Sequence, residues 1–226
     1  MPQDPPRVAA GSHAGQPLRR AGSPLAEARA AMVLLHGRGG SAEDILGLAD
    51  HFAAPGVALL APQAAGHTWY PHRFVAPLEA NEPHLSSALA AVAAAVAEAT
   101  VAGIPHEQVV LLGFSQGACL ALEYAARHAR RYGAVVGLSG GLIGPPDLVR
   151  HDPGSLARTA VFLGCSDIDE HIPVDRVHYA AAALRDLGAG VDERIYPGMG
   201  HTVNADEIAA VRALLATVLA EPAATR

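Results

Sequence analysis

The feature that most constrains the fold of this chain is a succession of short, continuous apolar segments. Five of them contain almost no polar residue, and a sixth alternates apolar and polar side chains. A strand that is apolar on both sides is typical of a parallel sheet covered by helices, while alternation indicates an edge strand. The six predicted strands cover residues 31–36, 57–61, 109–113, 134–138, 160–164 and 191–196.

Helical patterns separate these predicted strands. Ser41 followed three residues later by Asp44 resembles a capping box and predicts a helix through about Phe52. Gly188 and Gly190 stand where glycine commonly ends a helix. The other predicted helices cover residues 85–102, 116–130, 174–187 and 205–219. Strands and helices in alternation predict an α/β fold with a doubly wound, mainly parallel sheet.

The length and composition fit one such domain. The chain has 226 residues, of which 50% are hydrophobic and 17% are charged, so a mostly disordered chain is excluded. We predict a single domain over residues 31–226, which is large enough to bury its own core. Residues 1–30 are rich in Pro, Gly, Ser and Arg and are expected to form a loose arm with one edge strand near 16–20.

Charge and cysteine content narrow the possible partners and location. The net charge of −6 argues against nucleic-acid binding, and the absence of lysine excludes Schiff-base chemistry and the lysine of a P-loop. The apolar stretch 85–104 is mostly alanine and valine, so we expect a buried helix and no stable membrane insertion. Cys119 and Cys165 are too few for a disulfide framework and suggest a cytoplasmic protein. A homodimer through alanine-rich helices is a hypothesis.

One motif points to catalysis by a serine. Residues 113–117 read Gly-Phe-Ser-Gln-Gly and match G-x-S-x-G, directly after a predicted strand and directly before a predicted helix. This is the setting of a nucleophile elbow, in which the serine occupies a strained turn and the glycines allow close backbone contact. The helix directs its N-terminal N–H groups toward developing oxyanion charge. Ser115 is therefore the predicted nucleophile.

A serine hydroxyl needs a base, and one histidine has the right position. His201 follows the last predicted strand and precedes the last helix, as the base does in the chain order serine, acid, histidine. The acid is expected after the penultimate strand, where three carboxylates lie within residues 167–170. We favour Asp169, which precedes Pro173 at the start of the next helix. Asp167 remains the alternative because its distance from the strand is common in hydrolases, and Glu170 is disfavoured.

Two main-chain donors are expected to bind the oxyanion. One is the N–H of Gln116, the residue after the nucleophile. The other comes from the loop 36–40, which reads His-Gly-Arg-Gly-Gly and whose glycines allow the backbone to approach the reacting carbonyl. We assign it to the main-chain N–H of Arg38. The Arg38 guanidinium either points outward or meets an anionic group of the substrate.

Together these motifs resemble the phospholipase/carboxylesterase family of small α/β-hydrolases, the family of the acyl-protein thioesterases and bacterial carboxylesterases. The resemblance runs from about residue 31 to the last helix and includes HGRGG, TWYPHRF, GFSQG, DEHIP and PGMGH. It implies an α/β-hydrolase fold, a triad of Ser115, His201 and Asp169, and an oxyanion hole formed by Arg38 and Gln116. Such proteins usually have proline after the acidic residue, where this chain has glutamate.

The spacing of the three predicted residues leaves no room for a cap domain. They are separated by 54 and 32 residues (169 − 115 and 201 − 169), which strand–helix units fill. The long segment 62–83 is expected to be functional or mobile. Trp69 and Tyr70 in this segment are predicted to line the acyl pocket, and packing of the segment onto the sheet is the alternative. Its histidines lack metal-ligand spacing, so no metal and no cofactor are expected.

These observations predict a serine carboxylesterase that hydrolyses small or single-chain carboxylic esters through an acyl-enzyme on Ser115, with lysophospholipids as one candidate. Its partner is then a small-molecule ester. An acyl-thioesterase with the same triad is the nearest alternative. A non-catalytic ligand-binding protein with a hydrolase fold is the alternative of another class, and the intact serine, acid and histidine argue against it.

Overall fold

A computed structural model describes residues 12–220, in which seven strands form one sheet. The strands are β1 (Leu18–Gly22), β2 (Ala30–Leu35), β3 (Val57–Pro62), β4 (Val109–Phe114), β5 (Ala134–Leu138), β6 (Ala160–Ser166) and β7 (Gly190–Tyr196). Their order in the sheet is β1-β3-β2-β4-β5-β6-β7. β1 is antiparallel to β3, and the other neighbouring pairs are parallel.

The six predicted strands are all present, and their observed ends differ from the predicted ends by at most two residues. Every residue of β2, β3 and β5 is buried, as expected for strands with helices on both sides. β7 lies at one edge of the sheet, in agreement with its alternating pattern. The doubly wound, mainly parallel architecture is therefore confirmed.

Helices cover both faces of this sheet. They are α1 (Ala42–Ala49), α2 (His84–Val101), α3 (Gln116–Arg127), α4 (Val174–Asp186) and α5 (Ala205–Ala220). α2, α3 and α4 pack in one apolar cluster against one face, and α1 and α5 pack in a second cluster against the other. The capping box of Ser41 and Asp44 is present at the start of α1, although this helix ends earlier than predicted, at Ala49.

Residues 12–29, the described segment before β2, pack against the rest of the domain. β1 pairs with β3, two residues beyond the predicted position of the edge strand. His13 is buried: its main-chain N–H donates to Ser87 Oγ, its Nδ1 accepts from Ala65 N, and its Nε2 lies 2.8 Å from Trp69 O. These contacts correct the expectation of a loose arm for residues 12–30. Residues 1–11 lie outside the described residues.

One described helix, α2, is long and apolar enough by length and composition to cross a membrane. In the structure it packs on the sheet and buries Leu85, Val92 and Val96 in the larger apolar cluster. Core helices commonly meet the same two criteria. The sequence expectation of a buried helix at this position agrees with this packing.

The topology brings the predicted site residues to one edge of the sheet. Ser115 directly follows β4, and Asp169 and His201 lie in the loops after β6 and β7. The carboxyl ends of parallel strands meet at the same edge, which is where open α/β sheets hold their ligands. The loops of this edge form the site described next.

Candidate active site

Ser115 occupies a strained turn between β4 and α3. Its φ of +55° and ψ of −118° lie in a region that residues with a side chain rarely adopt. Glycines on either side allow this turn: a Cβ on Gly113 would overlap the main chain of Gly117, and a Cβ on Gly117 would overlap the carbonyl group of Leu35. The turn therefore holds the Ser115 side chain above the sheet edge, as the motif predicts.

The side chains of Ser115, His201 and Asp169 form one hydrogen-bonded chain. His201 Nε2 lies 2.8 Å from Ser115 Oγ, and His201 Nδ1 lies 2.7 Å from Asp169 Oδ2. The other carboxylate oxygen, Oδ1, accepts from the main-chain N–H groups of His171 and Ile172 at 2.8 and 3.0 Å. This arrangement can transfer a proton from the hydroxyl to the imidazole while the carboxylate holds the imidazole in place.

The carboxyl group of Asp169 is kept ionised. Its side chain is completely buried, which opposes ionisation. The hydrogen bonds from His201 and from the main-chain amides of His171 and Ile172 outweigh this effect, and the pKa of Asp169 lies below its usual range. A carboxylate is therefore present beside the imidazole at neutral pH.

Asp167, the alternative acid, contacts a different group. Its Oδ1 accepts from the main-chain N–H of Gly198 at 2.8 Å, and its side chain is exposed. Asp167 thus supports the loop that carries His201, and Asp169 is the carboxylate that contacts the imidazole. Glu170 is exposed as well.

The loop that carries His201 ends in a capping box at the start of α5. Asn204 N donates to Glu207 Oε2, and Glu207 N donates to Asn204 Oδ1, at 2.8 and 2.9 Å. Glu207 is completely buried, and within residues 12–220 its Oε1 has no hydrogen-bond partner. Burial raises the pKa of Glu207 to about 7. The carboxyl lies against Gly164 of β6, where a Cβ would overlap it.

Two main-chain N–H groups near Ser115 are free to bind an oxyanion. In the described part of the chain, the main-chain N–H groups of Arg38 and Gln116 have no acceptor, whereas that of Gly39 donates to His67 O at 2.7 Å. Gln116 is the first residue of α3, so the positive end of the helix dipole adds to this site. These are the two N–H groups that the sequence predicts as the donors of an oxyanion hole.

The Gln116 side chain has a function that the sequence did not indicate. Its Oε1 accepts from Trp69 N at 2.9 Å, and its Nε2 donates to Tyr70 O at 2.8 Å. Both contacts are buried and lie at the start of residues 69–73, which we call the pocket wall. The residue after Ser115 therefore also anchors one side of the cavity above Ser115.

Arg38 holds the same pocket wall from the other side. Its guanidinium donates to the carbonyl oxygens of Tyr70, Pro71 and His72 at 2.8 to 3.0 Å. The sequence left open whether this side chain points outward or meets a substrate, and the structure shows that it binds main-chain carbonyls. Carbonyl oxygens carry no formal charge, so these contacts do not neutralise the guanidinium, and Arg38 remains a cation beside the pocket.

Trp69 lies behind the pocket and does not line it. It is completely buried, its Nε1 donates to His36 O at 2.9 Å, and its ring packs against the rings of His36 and His13. Tyr70, the second aromatic residue predicted to line the pocket, does so. The expectation for Trp69 is thus corrected: its indole packs the pocket wall onto the domain, because its N–H finds a buried carbonyl there.

The cavity above Ser115 has a volume of about 610 Å³. Aromatic and aliphatic side chains form much of its surface, and basic side chains lie among them. Its lining residues are Gly37, Arg38, Tyr70, Pro71, His72, Arg73, Phe74, Phe114, Ser115, Gln116, Cys119, His171, Ile172 and His201. Such a mixture suits an organic ligand with few polar groups.

The two cysteines are free and buried. Cys119 is one of the residues that line this cavity, and Cys165 Sγ lies 3.8 Å from Asp169 Oδ2. Burial raises the pKa of each thiol to about 12. Neither is a thiolate at neutral pH, so the serine hydroxyl is the nucleophile candidate of this cavity.

Comparison with known proteins shows the family to which this chain belongs. The sequence profile described as Phospholipase/Carboxylesterase matches residues 20–219. The chain belongs to the phospholipase/carboxylesterase family. This confirms the family indicated by the sequence motifs, and it extends the match to β1, which the motifs did not include.

Solved structures of named esterases have the same fold as this chain. A phospholipase/carboxylesterase from Dyadobacter fermentans is 43% identical, with a TM-score of 0.86 over 89% of this chain and 96% of that one. A carboxylesterase from Mesorhizobium loti is 25% identical, with a TM-score of 0.68 over 89% of this chain and 94% of that one. The α/β-hydrolase fold is therefore confirmed.

Curated relatives match over a shorter length. Acyl-protein thioesterase 1 from Saccharomyces cerevisiae is 33% identical over 108 residues, which are 47% of this chain. The match spans 48% of the length of that thioesterase. A second acyl-protein thioesterase, from Gibberella zeae, matches over 49% of its own length at 33% identity.

Proposed function

We propose that this protein is a serine carboxylesterase that hydrolyses small or single-chain carboxylic esters. The observation that carries the proposal is the hydrogen-bonded chain from Ser115 through His201 to Asp169, on the floor of a cavity of about 610 Å³. Membership of the phospholipase/carboxylesterase family and likeness to named carboxylesterases support it. The roles given below to individual residues are part of the proposal.

Acylation begins when Ser115 Oγ attacks the ester carbonyl. His201 Nε2, at 2.8 Å, removes the hydroxyl proton as the new C–O bond forms. Asp169 accepts from Nδ1 of the imidazole, which fixes the tautomer and stabilises the imidazolium. The oxyanion of the tetrahedral intermediate accepts from the main-chain N–H groups of Arg38 and Gln116.

Collapse of the intermediate releases the alcohol. His201 donates its new proton to the leaving oxygen, which leaves an acyl group on Ser115. A water molecule then attacks this acyl group, with His201 again acting as base, and the same main-chain donors bind the second oxyanion. The carboxylic acid leaves and the serine hydroxyl is restored.

Replacement of Ser115 by alanine tests the proposal. The variant is expected to lose hydrolysis of p-nitrophenyl butyrate to background, because the acyl-enzyme forms on the Ser115 hydroxyl and the thiol of Cys119 in the cavity has a pKa of about 12. Ser86→Ala removes an exposed hydroxyl on α2 and serves as the control with full activity. Retention of more than a few per cent of the wild-type rate in Ser115→Ala, or no labelling of Ser115 by a fluorophosphonate, contradicts the proposal.

A thioesterase is the second candidate. Two relatives at 33% identity are named acyl-protein thioesterases, and the same residues can cleave a thioester. The ratio of kcat/KM on an ester and a thioester with the same acyl chain separates the two functions. A ratio in favour of the thioester by tenfold or more assigns the second function.

We also propose a cytoplasmic location, because two unpaired buried thiols suit a reducing compartment. Cell fractionation with an antibody to the protein checks it. The possible homodimer stays a prediction, and sedimentation equilibrium of the purified protein measures it.

A further inference from the structure

The arginine side chains that line the cavity above Ser115 are opposite in charge to the protein as a whole. The chain carries 22 acidic residues and 16 basic residues, with a net charge of −6. The residues that line the cavity include Arg38 and Arg73 but no aspartate or glutamate. A cleft lined by charge of one sign concentrates its field and attracts ligands of the other sign.

These two arginines also differ in their partners from several arginines that form ion pairs elsewhere in the structure. Ion pairs join Arg19 to Glu43, Arg20 to Glu98 and Arg194 to Asp192, with distances of 2.6 to 2.7 Å. Within the part of the chain that the structure describes, neither Arg38 nor Arg73 has a carboxylate partner, and both are exposed. Their positive charge is therefore available to a ligand in the cavity.

The position of Arg73 is fixed by its neighbours. Asn81 is completely buried; its Oδ1 accepts from His72 N at 2.9 Å and its Nδ2 donates to Arg73 O at 3.3 Å. Arg38 adds a hydrogen bond of 2.8 Å to His72 O. The backbone that carries the Arg73 guanidinium is thus held on both sides, so binding of a ligand there requires little ordering of the main chain.

One carboxylate, that of Asp169, lies on the far side of the His201 ring, where it is completely buried and bonded to His201 and to two main-chain amides. The ring of His171 lies edge-on to that of His201, with centroids 4.8 Å apart, and its side chain is also part of the lining. The N-terminus of α3 directs the positive end of its dipole toward the same space. The apolar members of the lining are suited to the chain that joins the anionic group to the ester.

We propose that the preferred esters carry an anionic group, a carboxylate or a phosphate, and that Arg73 binds this group while Arg38 adds to the positive field. The inference rests on the proposed esterase function and specifies its substrate class. A guanidinium binds either anion through two parallel N–H groups, so the shared chemistry is an oxyanion on the substrate chain.

A pair of esters that differ only in charge tests this. Mono(4-nitrophenyl) adipate carries a free carboxylate, and its methyl ester has the same chain and leaving group without the charge. The readout is the ratio of their kcat/KM values, each corrected for its rate of alkaline hydrolysis. For an exposed guanidinium we expect the wild-type ratio to favour the anion by about three- to tenfold, and 0.5 M NaCl to reduce it.

Two variants of Arg73 and one matched control locate the effect. Arg73→Gln is expected to bring the ratio to about one, and Arg73→Glu to reverse it, because a carboxylate repels the anionic ester. Arg158→Gln removes the same charge from an exposed position before β6, at the opposite end of the strand, and is expected to keep the wild-type ratio.

The possible outcomes are distinct. Hydrolysis of neither ester contradicts the esterase proposal itself. Hydrolysis of the neutral ester with a ratio near one, or a ratio that Arg73→Gln does not change, overturns the inference about Arg73. Competitive inhibition of the neutral-ester reaction by monomethyl adipate assigns the site to carboxylates, stronger inhibition by monobutyl phosphate assigns it to phosphates, and inhibition by neither compound overturns the inference.

Discussion

Replacement of Asp169 by asparagine is expected to reduce kcat for ester hydrolysis by about four orders of magnitude. The carboxylate contacts His201 Nδ1 at 2.7 Å and is completely buried. In the transition state it faces a newly formed imidazolium. At this distance and an effective dielectric constant of about 20, the attraction is about 6 kcal/mol, and each 1.36 kcal/mol corresponds to a factor of ten in rate.

The geometry explains why asparagine is a poor substitute. Oδ1 of Asp169 accepts from the main-chain N–H groups of His171 and Ile172. An asparagine that keeps an oxygen at this position presents its NH₂ group to Nδ1 of His201. The imidazole then carries its proton on Nε2, where it cannot accept the proton of the serine hydroxyl.

Asp167→Asn is the matched variant. The amide oxygen of an asparagine can still accept from Gly198 N, as Asp167 Oδ1 does, so kcat is expected to stay within about threefold of wild type. Both variants are assayed with p-nitrophenyl butyrate at saturation, after titration of active sites with a fluorophosphonate. A loss in Asp167→Asn equal to or larger than the loss in Asp169→Asn refutes the reasoning.

Two further predictions concern stability. The pKa of Glu207 is about 7 in the fold and about 4.5 in the unfolded chain. Between these values the buried carboxyl stays protonated while that of the unfolded chain ionises. The free energy of unfolding therefore falls by up to about 3 kcal/mol as the pH rises from 4.5 through 7. Urea denaturation from pH 5 to 8 measures this fall, and an equal fall in Glu207→Gln contradicts it. Gly117→Ala is expected to lower the free energy of unfolding by about 1–3 kcal/mol or to prevent folding, because a Cβ there overlaps Leu35 O. Gly47→Ala in α1 is the matched variant: its Cβ meets no atom within 4 Å, and it is expected to raise the free energy of unfolding by about 0.5–1 kcal/mol. Thermal denaturation compares the two, and equal melting temperatures contradict the steric argument.

The strands and helices were predictable because their signals are local. A continuous apolar run such as β5 contains its own boundaries, and the capping box at Ser41 needs only residues within one helical turn. The segment 12–30 was less predictable, since its order depends on His13. That side chain contacts Ala65 and Trp69, more than fifty positions away, and no periodicity in the sequence indicates such contacts.

The difference between local signals and contacts of distant positions also explains which parts of the candidate site the sequence predicts. Ser115 and His201 stand in short motifs whose glycines and flanking elements indicate their position. The contacts of the Gln116 and Arg38 side chains with residues 69–73 join segments more than thirty positions apart. The sequence predicts that Trp69 lines the pocket because it is an aromatic residue in a long loop. Whether such a ring faces a ligand or the core depends on where its N–H finds an acceptor, and the sequence does not contain that information.

The way in which the pocket wall is held has a consequence for how this family member can diversify. Gln116, Arg38 and Asn81 bind the wall through its main-chain carbonyl and amide groups, which every substitution except proline retains. The exposed side chains of His72 and Arg73 are therefore separable from the framework that supports them. A saturation library at these two positions samples new substrate preferences at little cost in folding, provided that the three anchoring side chains are kept.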